Sequence, residues 1–187
     1  TLSHQGLLNM TRITIAIDGF SACGKSTTAK AVARQLNYIY VDSGAMYRAV
    51  TYFCLEEQVD LGNNQEIHNA LGRLTIQFKT DQNGEPVTLL NGNVVETEIR
   101  SMRVSSKVSE VAAIPAVRRA MVEMQQKMGR DKGIVMDGRD IGTVVFPKAD
   151  LKIFMTATPE VRAQRRMLEM EQKGVKLSLN EVMNNLM

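Results

Sequence analysis

The sequence has few aromatic residues and no tryptophan, and it contains only two cysteines, Cys23 and Cys54. Two cysteines cannot form a disulfide framework, and no cysteine or histidine pair has the spacing of zinc ligands. No apolar run reaches the length of a membrane span, and the first residues lack the charged-then-apolar order of a signal peptide. These absences argue against a disulfide scaffold, a zinc module and a membrane protein, and they predict a cytoplasmic location.

The composition is that of an ordinary globular protein. With 187 residues, 44% hydrophobic and 23% charged, the chain suits one domain with at most a modest insertion. A net charge of +3 is too small to argue for nucleic-acid binding, and aromatic and basic residues are not interleaved as in single-strand binders. Residues 1–9 show no periodicity, and we expect them to be a loose or extraneous tail before Met10.

The most specific motif is Gly19-x4-Gly24-Lys25-Ser26. It follows a short β-branched run that contains Ile13, Ile15 and Ile17. Its glycines let backbone N–H groups face phosphate oxygens, while Lys25 reaches the β and γ phosphates and the Ser26 hydroxyl binds Mg²⁺. The alternative is a glycine-rich turn with an exposed lysine. The motif predicts an ATP-dependent phosphotransferase whose nucleotide-binding residues are Gly19, Phe20, Ser21, Ala22, Cys23, Gly24, Lys25, Ser26 and Thr27.

A second element agrees with this motif. Residues 134–136 form an apolar run that ends at Asp137, as expected of the carboxylate that helps to hold Mg²⁺ beside such a loop. Any buried strand can end in aspartate, so the element is weak by itself. Together the two elements predict ATP and Mg²⁺ as cofactors, with Ser26 and Asp137 as the metal ligands.

The pattern of elements predicts an α/β fold with a parallel core sheet. Strands are expected at 13–17, 38–41, 134–136 and 151–155, and helices at 25–36, 45–58, 101–129 with a new start at Pro115, and 159–173, before a last helix capped by Ser178. Alternating apolar residues and two Asn-Gly pairs predict a small antiparallel insertion over 74–96.

The phosphate-loop motif does not identify the molecule that accepts the phosphoryl group, so this acceptor must be inferred from other residues. The Asn-Lys-x-Asp motif of GTPases is absent, but Arg48 and Arg139 follow predicted strands, where ligand crevices of parallel sheets form. Both suit bidentate binding of an acceptor phosphate. On the sequence alone they could equally pair with their neighbours Asp42 and Asp140.

The segments DSGAMYR, VSEVAAIPAVR and DGRDIGTVVFP resemble the bacterial cytidylate kinase family, from about Ile13 to the end of the chain. The resemblance implies a three-layer P-loop nucleoside-monophosphate kinase fold, with a CORE at 10–43 and 130–158. It also implies an acceptor-binding lobe at 44–129 that carries the β insertion, and the start of a helical LID at 159–187, with the family continuing beyond Met187. We expect the protein to be a monomer. The implied reaction transfers the ATP γ-phosphoryl group to CMP or dCMP.

The resemblance also implies residue roles. Lys25, Arg139 and the LID arginines Arg162, Arg165 and Arg166 would be catalytic, although the last three could equally form a solvated basic helix face. Asp140 would accept from the N4 amino group of cytosine and repel the O4 of uracil. The implied substrate-binding residues are Ser43, Tyr47, Arg48, Ser109, Arg118, Arg139 and Asp140.

Two residues of the loop depart from the family pattern, because Phe20 and Cys23 stand where proline and a small residue are usual. Neither position supplies an essential side chain, so we expect nucleotide binding to survive, and a cysteine near a helix N-terminus could be redox-sensitive.

Two alternative functions stay open. One is another small-acceptor kinase, acting on UMP, AMP or a metabolite, and the other is a non-catalytic nucleotide-binding module.

Overall fold

The computed structural model describes residues 11–172, 174, 182 and 183. In chain order its elements are β1 (Thr14–Gly19), α1 (Lys25–Leu36), β2 (Ile39–Asp42), α2 (Ser43–Glu56), α3 (Asn64–Arg73), β3 (Ile76–Thr80), β4 (Pro86–Leu90), β5 (Asn93–Val94), a 3-10 turn (Glu98–Arg100), α4 (Met102–Ser105), α5 (Val108–Ala113), α6 (Pro115–Met128), β6 (Ile134–Gly138), a π-helical turn (Ile141–Val145), β7 (Leu151–Met155) and α7 (Pro159–Gln172).

A four-stranded parallel sheet in the order β2-β6-β1-β7 forms the centre of the fold. Every residue of β1 is buried, because this strand is covered on both faces and is paired along both edges. Such a position explains its unbroken apolar and β-branched run. The parallel register places the carboxyl ends of β1, β2 and β6 side by side, which is where ligand crevices form in sheets of this kind.

Helices α1 and α2 directly follow β1 and β2 and position the residues at the ends of these strands. Ala29 and Ala33 of α1 pack against the sheet, and α1 ends at Asn37, which adopts a left-handed conformation. The carboxylate of Asp42 accepts from the backbone N–H of Ala45 at 2.9 Å and so caps α2. Met46 of α2 is fully buried in the larger core cluster. The cap makes α2 begin directly where β2 ends, at the crevice.

A separate antiparallel sheet, in the order β3-β4-β5, contains the predicted 74–96 insertion. The turn between β4 and β5 uses Asn91 and Gly92, both with positive φ, as the Asn-Gly pair predicts. Ile76 and Leu90 are buried members of the larger core cluster and connect this sheet to the core. The fold class predicted from the sequence, a parallel α/β core with a small antiparallel insertion, is confirmed.

Sequence analysis missed helix α3, the 3-10 turn and the π-helical turn, and the helix predicted from residue 101 to Pro115 is in fact the two short helices α4 and α5. Asn63 caps α3 by accepting from the N–H groups of Gln65 and Glu66, and Ile67 and Ala70 are buried on one face. An asparagine cap followed by apolar residues at helical spacing was the signal that could have revealed it. The predicted new helix at Pro115 is confirmed as α6.

Within the described residues, none of the helices has both the length and the apolar character needed to cross a membrane. The predicted tail at 1–9 and the predicted helix cap at Ser178 lie outside those residues.

Candidate active site

Residues 19–24 connect β1 to α1 and form the phosphate loop that the motif predicts. A β-carbon on Gly19 would collide with the carbonyl oxygen of Met155, at the end of β7, so only glycine fits there. Gly24 has φ +98° and directly precedes α1, which suits glycine because other residues rarely adopt this conformation. The loop therefore turns tightly and presents the N-terminus of α1 to the crevice.

The side chains of this loop face in different directions. Lys25 folds over the loop, and its Nζ donates to the backbone oxygen of Phe20 at 2.8 Å. Cys23 is buried, with its sulfur on the inner side of the loop near Gly19. Phe20 is 51% exposed and meets Phe154 edge to face, with ring centroids 5.7 Å apart. Lys25 is thus held beside the crevice by a main-chain contact that a bound phosphate could replace.

Asp137 lies at the end of β6 and is only 3% exposed. Its two carboxylate oxygens accept from the hydroxyls of Ser26 at 2.9 Å and Tyr40 at 2.8 Å. Burial, together with the nearby charge of Asp42, raises the pKa of Asp137 to about 6, although both hydroxyl donors act in the opposite direction. The sequence predicts Ser26 and Asp137 as the two ligands of one metal ion, but not the tyrosine that donates to Asp137.

Burial raises the pKa of Tyr40 far above its usual range, and the carboxylates of Asp42 and Asp137 add to that rise. The Tyr40 phenol therefore keeps its proton and acts as a hydrogen-bond donor. One oxygen of Asp137 thus accepts a hydrogen bond from the tyrosine. The other accepts from Ser26 and faces the phosphate loop.

The oxygen atoms around Asp137 suit the predicted Mg²⁺. In the part of the chain that the structure describes, no three histidine, cysteine or acidic side chains come together as a metal cluster. Mg²⁺ in phosphotransferases needs no such cluster, since it is held by one or two protein oxygens with waters and substrate phosphates. The adjacent oxygens of Ser26 and Asp137 fit this mode of binding.

A cavity of about 910 Å³ opens from the phosphate loop across the carboxyl edge of the sheet. On the loop side, Lys25 and Ser26 line it. On the opposite side it is lined by all the predicted acceptor-binding residues, namely Ser43, Tyr47, Arg48, Ser109, Arg118, Arg139 and Asp140. The structure therefore brings Lys25, Ser26 and the predicted acceptor residues into one cavity, whereas Gly19, Phe20 and Cys23 of the loop do not line it.

Arg48 does not pair with its neighbour Asp42, which was the open alternative. Its Nη1 donates to the Ser105 hydroxyl at 2.9 Å, and Asp42 pairs instead with Arg100 at 3.3 Å. Burial, with the nearby positive charge of Arg100 as a further cause, lowers the pKa of Arg48 from its usual value. Two partly buried guanidinium groups near one wall of the cavity favour an anion there.

Sequence analysis missed Arg100. Its side chain lines the cavity and also contacts Glu96 at 2.5 Å. No motif surrounds it, since it lies in a 3-10 turn after the antiparallel insertion, and only the folding of that insertion onto α2 brings it to the crevice.

Arg118 and Asp140, both expected at the cytosine, form an ion pair across the cavity. Tyr47 lies beside this pair, and burial raises the pKa of its phenol. Arg139 is exposed to the cavity and, within the described residues, is not paired with Asp140. The pairing of Arg139 with its neighbour, the second open alternative, is therefore not what the structure shows.

The three arginines of α7 have different surroundings. Arg162 is 9% exposed; its Nε donates to the backbone oxygen of Ser21 at 2.9 Å, and its guanidinium lies 4.9 Å from the centroid of the Phe20 ring. Arg165 lines the cavity, whereas Arg166 pairs with Glu169 at 2.9 Å. Their spacing in the sequence does not reveal this division, because it depends on where the phosphate loop meets α7.

Comparison with known proteins agrees with these features. The family model described as cytidylate kinase matches residues 15–187. A cytidylate kinase of Bacteroides thetaiotaomicron is 55% identical over 181 residues, which cover 95% of this chain and 79% of that protein. Cytidylate kinases of Parabacteroides distasonis and Flavobacterium johnsoniae are each 52% identical over the same shares of the two chains. The chain belongs to the cytidylate kinase family.

Proposed function

We propose that this protein is a cytidylate kinase, which transfers the γ-phosphoryl group of ATP to CMP or dCMP and releases ADP and CDP or dCDP. One observation carries the proposal: a single cavity joins the phosphate loop to an acceptor wall of arginines, with the Arg118–Asp140 pair at its far side. In the reaction an oxygen of the acceptor phosphate forms a bond to the γ-phosphorus, and the bond from that phosphorus to the β,γ-bridging oxygen breaks. This exchange belongs to pyrimidine nucleotide metabolism.

On the donor side, the backbone N–H groups of the loop and the N-terminus of α1 bind the ATP phosphates. The Nζ of Lys25, held 2.8 Å from the Phe20 oxygen, is placed to move onto the β and γ phosphates. Ser26 and Asp137 would hold Mg²⁺, which neutralises phosphate charge during transfer. Tyr40 keeps the Asp137 carboxylate in position by its hydrogen bond of 2.8 Å.

On the acceptor side, Arg48 and Arg139 bind the phosphate of CMP, and Ser43 and Tyr47 lie at the same end of the cavity. That phosphate is ionised at neutral pH, so the attacking oxygen needs no strong general base. Catalysis then consists of positioning two anions in line and neutralising their charge, which arginine and lysine side chains do well in a site that excludes water.

The lobes implied by the resemblance remain part of the proposal. Residues 10–43 and 130–158 form the CORE, 44–129 bind the acceptor, and the segment from 159 begins the LID. The positions of its arginines support different duties for them: Arg165 faces the cavity, while Arg162 supports the loop from behind. Closure of the acceptor lobe and LID would exclude water, which otherwise competes for the γ-phosphoryl group.

The function is tested by a coupled ADP-release assay of the purified protein with CMP, dCMP, UMP, AMP and shikimate as acceptors. We expect CMP or dCMP to have the highest kcat/KM. A higher value for UMP, AMP or shikimate would make the protein a kinase of another acceptor. ATP binding without acceptor-dependent ADP release would make it a non-catalytic nucleotide-binding module.

The assignment of Asp140 to the cytosine amino group gives a more specific prediction. In Asp140→Ala the acceptor for N4 is lost, and Arg118, no longer paired, can donate to the O4 of uracil. We expect the ratio of kcat/KM for CMP to that for UMP to fall by about tenfold to a hundredfold. The exposed Asp131 provides a control, since Asp131→Ala removes a carboxylate outside the cavity. An unchanged ratio in Asp140→Ala would refute this role.

A further inference from the structure

Asp18 is a buried carboxylate that neither the phosphate-loop motif nor the acceptor segments use. It lies near the carboxyl end of β1 and is 7% exposed. Its two oxygens accept from the backbone N–H groups of Ile141 at 2.6 Å and Gly142 at 2.7 Å. One side chain of β1 thus holds the start of a turn more than a hundred residues further along the chain.

These two N–H groups belong to the first residues of the π-helical turn Ile141–Val145. The first N–H groups of a helical turn have no partner within the turn, and an aspartate directly before it commonly accepts from them. Asp140 occupies that position but makes no side-chain cap. Its carboxylate contacts Arg118 across the cavity instead. Asp18 supplies the cap that Asp140 would otherwise provide.

The contact also leaves little room for the turn to shift. A β-carbon on Gly142 would lie 3.2 Å from an Asp18 oxygen and 2.9 Å from the Cδ of Lys152. Ile141 is fully buried on the neighbouring side of the same turn. The backbone directly after Arg139 and Asp140 is therefore held by two hydrogen bonds to a charged group and by close packing.

We infer that Asp18 is a positioning residue for acceptor recognition: by capping the turn after Asp140, it leaves the Asp140 carboxylate available for the cytosine ring and keeps the adjacent Arg139 facing the acceptor phosphate. This inference rests on the proposed cytidylate kinase function. Without the Asp18 carboxylate, the Asp140 side chain would turn back to cap its own backbone and would leave the base-binding end of the cavity.

The competing role for Asp18 is support of the phosphate loop, because Gly19 follows it directly. The two roles affect different substrates. Support of the loop would appear in the KM for ATP, whereas positioning of Asp140 would appear in the KM for CMP and in the discrimination between CMP and UMP.

The test uses Asp18→Asn, which keeps the size of the side chain but turns one acceptor into a donor that faces a backbone N–H. We expect the ratio of kcat/KM for CMP to that for UMP to fall by about tenfold, as for a lost hydrogen bond to a charged group. The KM for CMP should rise by a similar factor, and the KM for ATP should stay within about twofold. An unchanged ratio, or a rise confined to the KM for ATP, would overturn the inference.

Asp150→Asn is the matched control. Asp150 also accepts from a backbone N–H of β1, that of Thr14 at 2.8 Å, but at the end of the strand away from the cavity. It also accepts from the Lys132 ammonium at 2.9 Å. The same chemical change there should leave the discrimination between CMP and UMP at the wild-type value.

A double-mutant cycle separates positioning from general damage. If Asp18 acts through Asp140, then Asp18→Asn in an Asp140→Ala background should change the CMP-to-UMP ratio by less than about twofold. A full tenfold loss in that background would overturn the inference.

If Asp18→Asn does not fold, Gly142→Ala tests the same contact from the other side, because its methyl group separates the turn from Asp18. A wild-type CMP-to-UMP ratio in that variant would also overturn the inference. Failure of the wild-type protein to use CMP would instead refute the proposed function.

Discussion

Replacing Lys25 by alanine is expected to lower kcat for CMP phosphorylation by about a thousandfold while the protein stays folded. Lys25 is the cation proposed to reach the β and γ phosphates, and its hydrogen bond to the Phe20 oxygen shows that the side chain already lies over the loop. That bond is exposed, so its loss should cost little stability. The charge that the side chain brings to the transferring group has no substitute within the described part of the loop.

The measurement is steady-state kinetics with saturating ATP and CMP, together with thermal unfolding. Lys127→Ala is the control, because Lys127 is also a lysine near the surface, paired with Glu123 on α6 and outside the cavity. It should retain wild-type turnover. A Lys25→Ala protein with normal turnover would contradict the whole phosphate-loop mechanism, whatever the acceptor.

The parts of the fold that could be predicted from the sequence are those in which neighbouring residues carry the signal. The β-branched run before the loop predicts β1, the Asn-Gly pairs predict the antiparallel insertion, and Pro115 predicts the start of α6. Each of these depends on backbone preferences within a few residues. Helix α3 shows the limit, because a short helix with few apolar residues gives a weak local signal.

The residues of the candidate site also fall into two groups, those with a local sequence signal and those brought in by the fold. The motif and the family segments contain the residues proposed to face phosphate and base, since their type and spacing carry the chemistry. The residues that hold those groups in place come from distant parts of the chain. Tyr40 meets Asp137 from β2, Arg100 arrives with the antiparallel insertion, and Asp18 caps a turn that follows β6.

Arg162 illustrates why spacing alone was insufficient. On the helix it looks equivalent to Arg165 and Arg166, and all three were expected over the phosphates. In the structure its guanidinium is covered by Phe20 and donates to the Ser21 oxygen. The aromatic ring of Phe20 supplies the surface against which Arg162 packs. A residue of the phosphate loop thus determines the surroundings of a residue on α7.

Asp137→Asn is expected to make the protein more stable and much less active. The folded protein raises the pKa of Asp137 to about 6 because the carboxyl is buried, whereas the unfolded chain has the ordinary value of 3.8. A raised pKa means that ionisation opposes folding: the cost is fully present above pH ~6 and disappears as the pH falls towards ~4. The difference between about 6 and 3.8 corresponds to roughly 3 kcal/mol, and this value already includes the opposing effect of the hydrogen bonds from Tyr40 and Ser26.

Asparagine removes the charge but can still accept from one hydroxyl, so we expect the melting temperature at pH 8 without metal to rise by about 4 °C. At pH 5 the difference from wild type should shrink. Asp150→Asn should instead lower the melting temperature at pH 8. Hydrogen bonds from Thr14 and Lys132 lower the pKa of Asp150, so its ionisation favours folding. A variant of Asp137 that is destabilised equally at both pH values would contradict this explanation.

Activity should fall by at least about a hundredfold in Asp137→Asn, since even residues that only orient metal ligands are worth ten- to a hundredfold. The concentration of Mg²⁺ needed for half-maximal activity should rise as well, because the neutral amide binds a divalent cation more weakly than a carboxylate does. Tyr40→Phe is the matched variant: it leaves the charge of Asp137 but removes its 2.8 Å hydrogen bond. It should show a smaller loss and no gain in stability at pH 8. Buried charge that costs stability and supports phosphoryl transfer is the arrangement expected of a functional carboxylate.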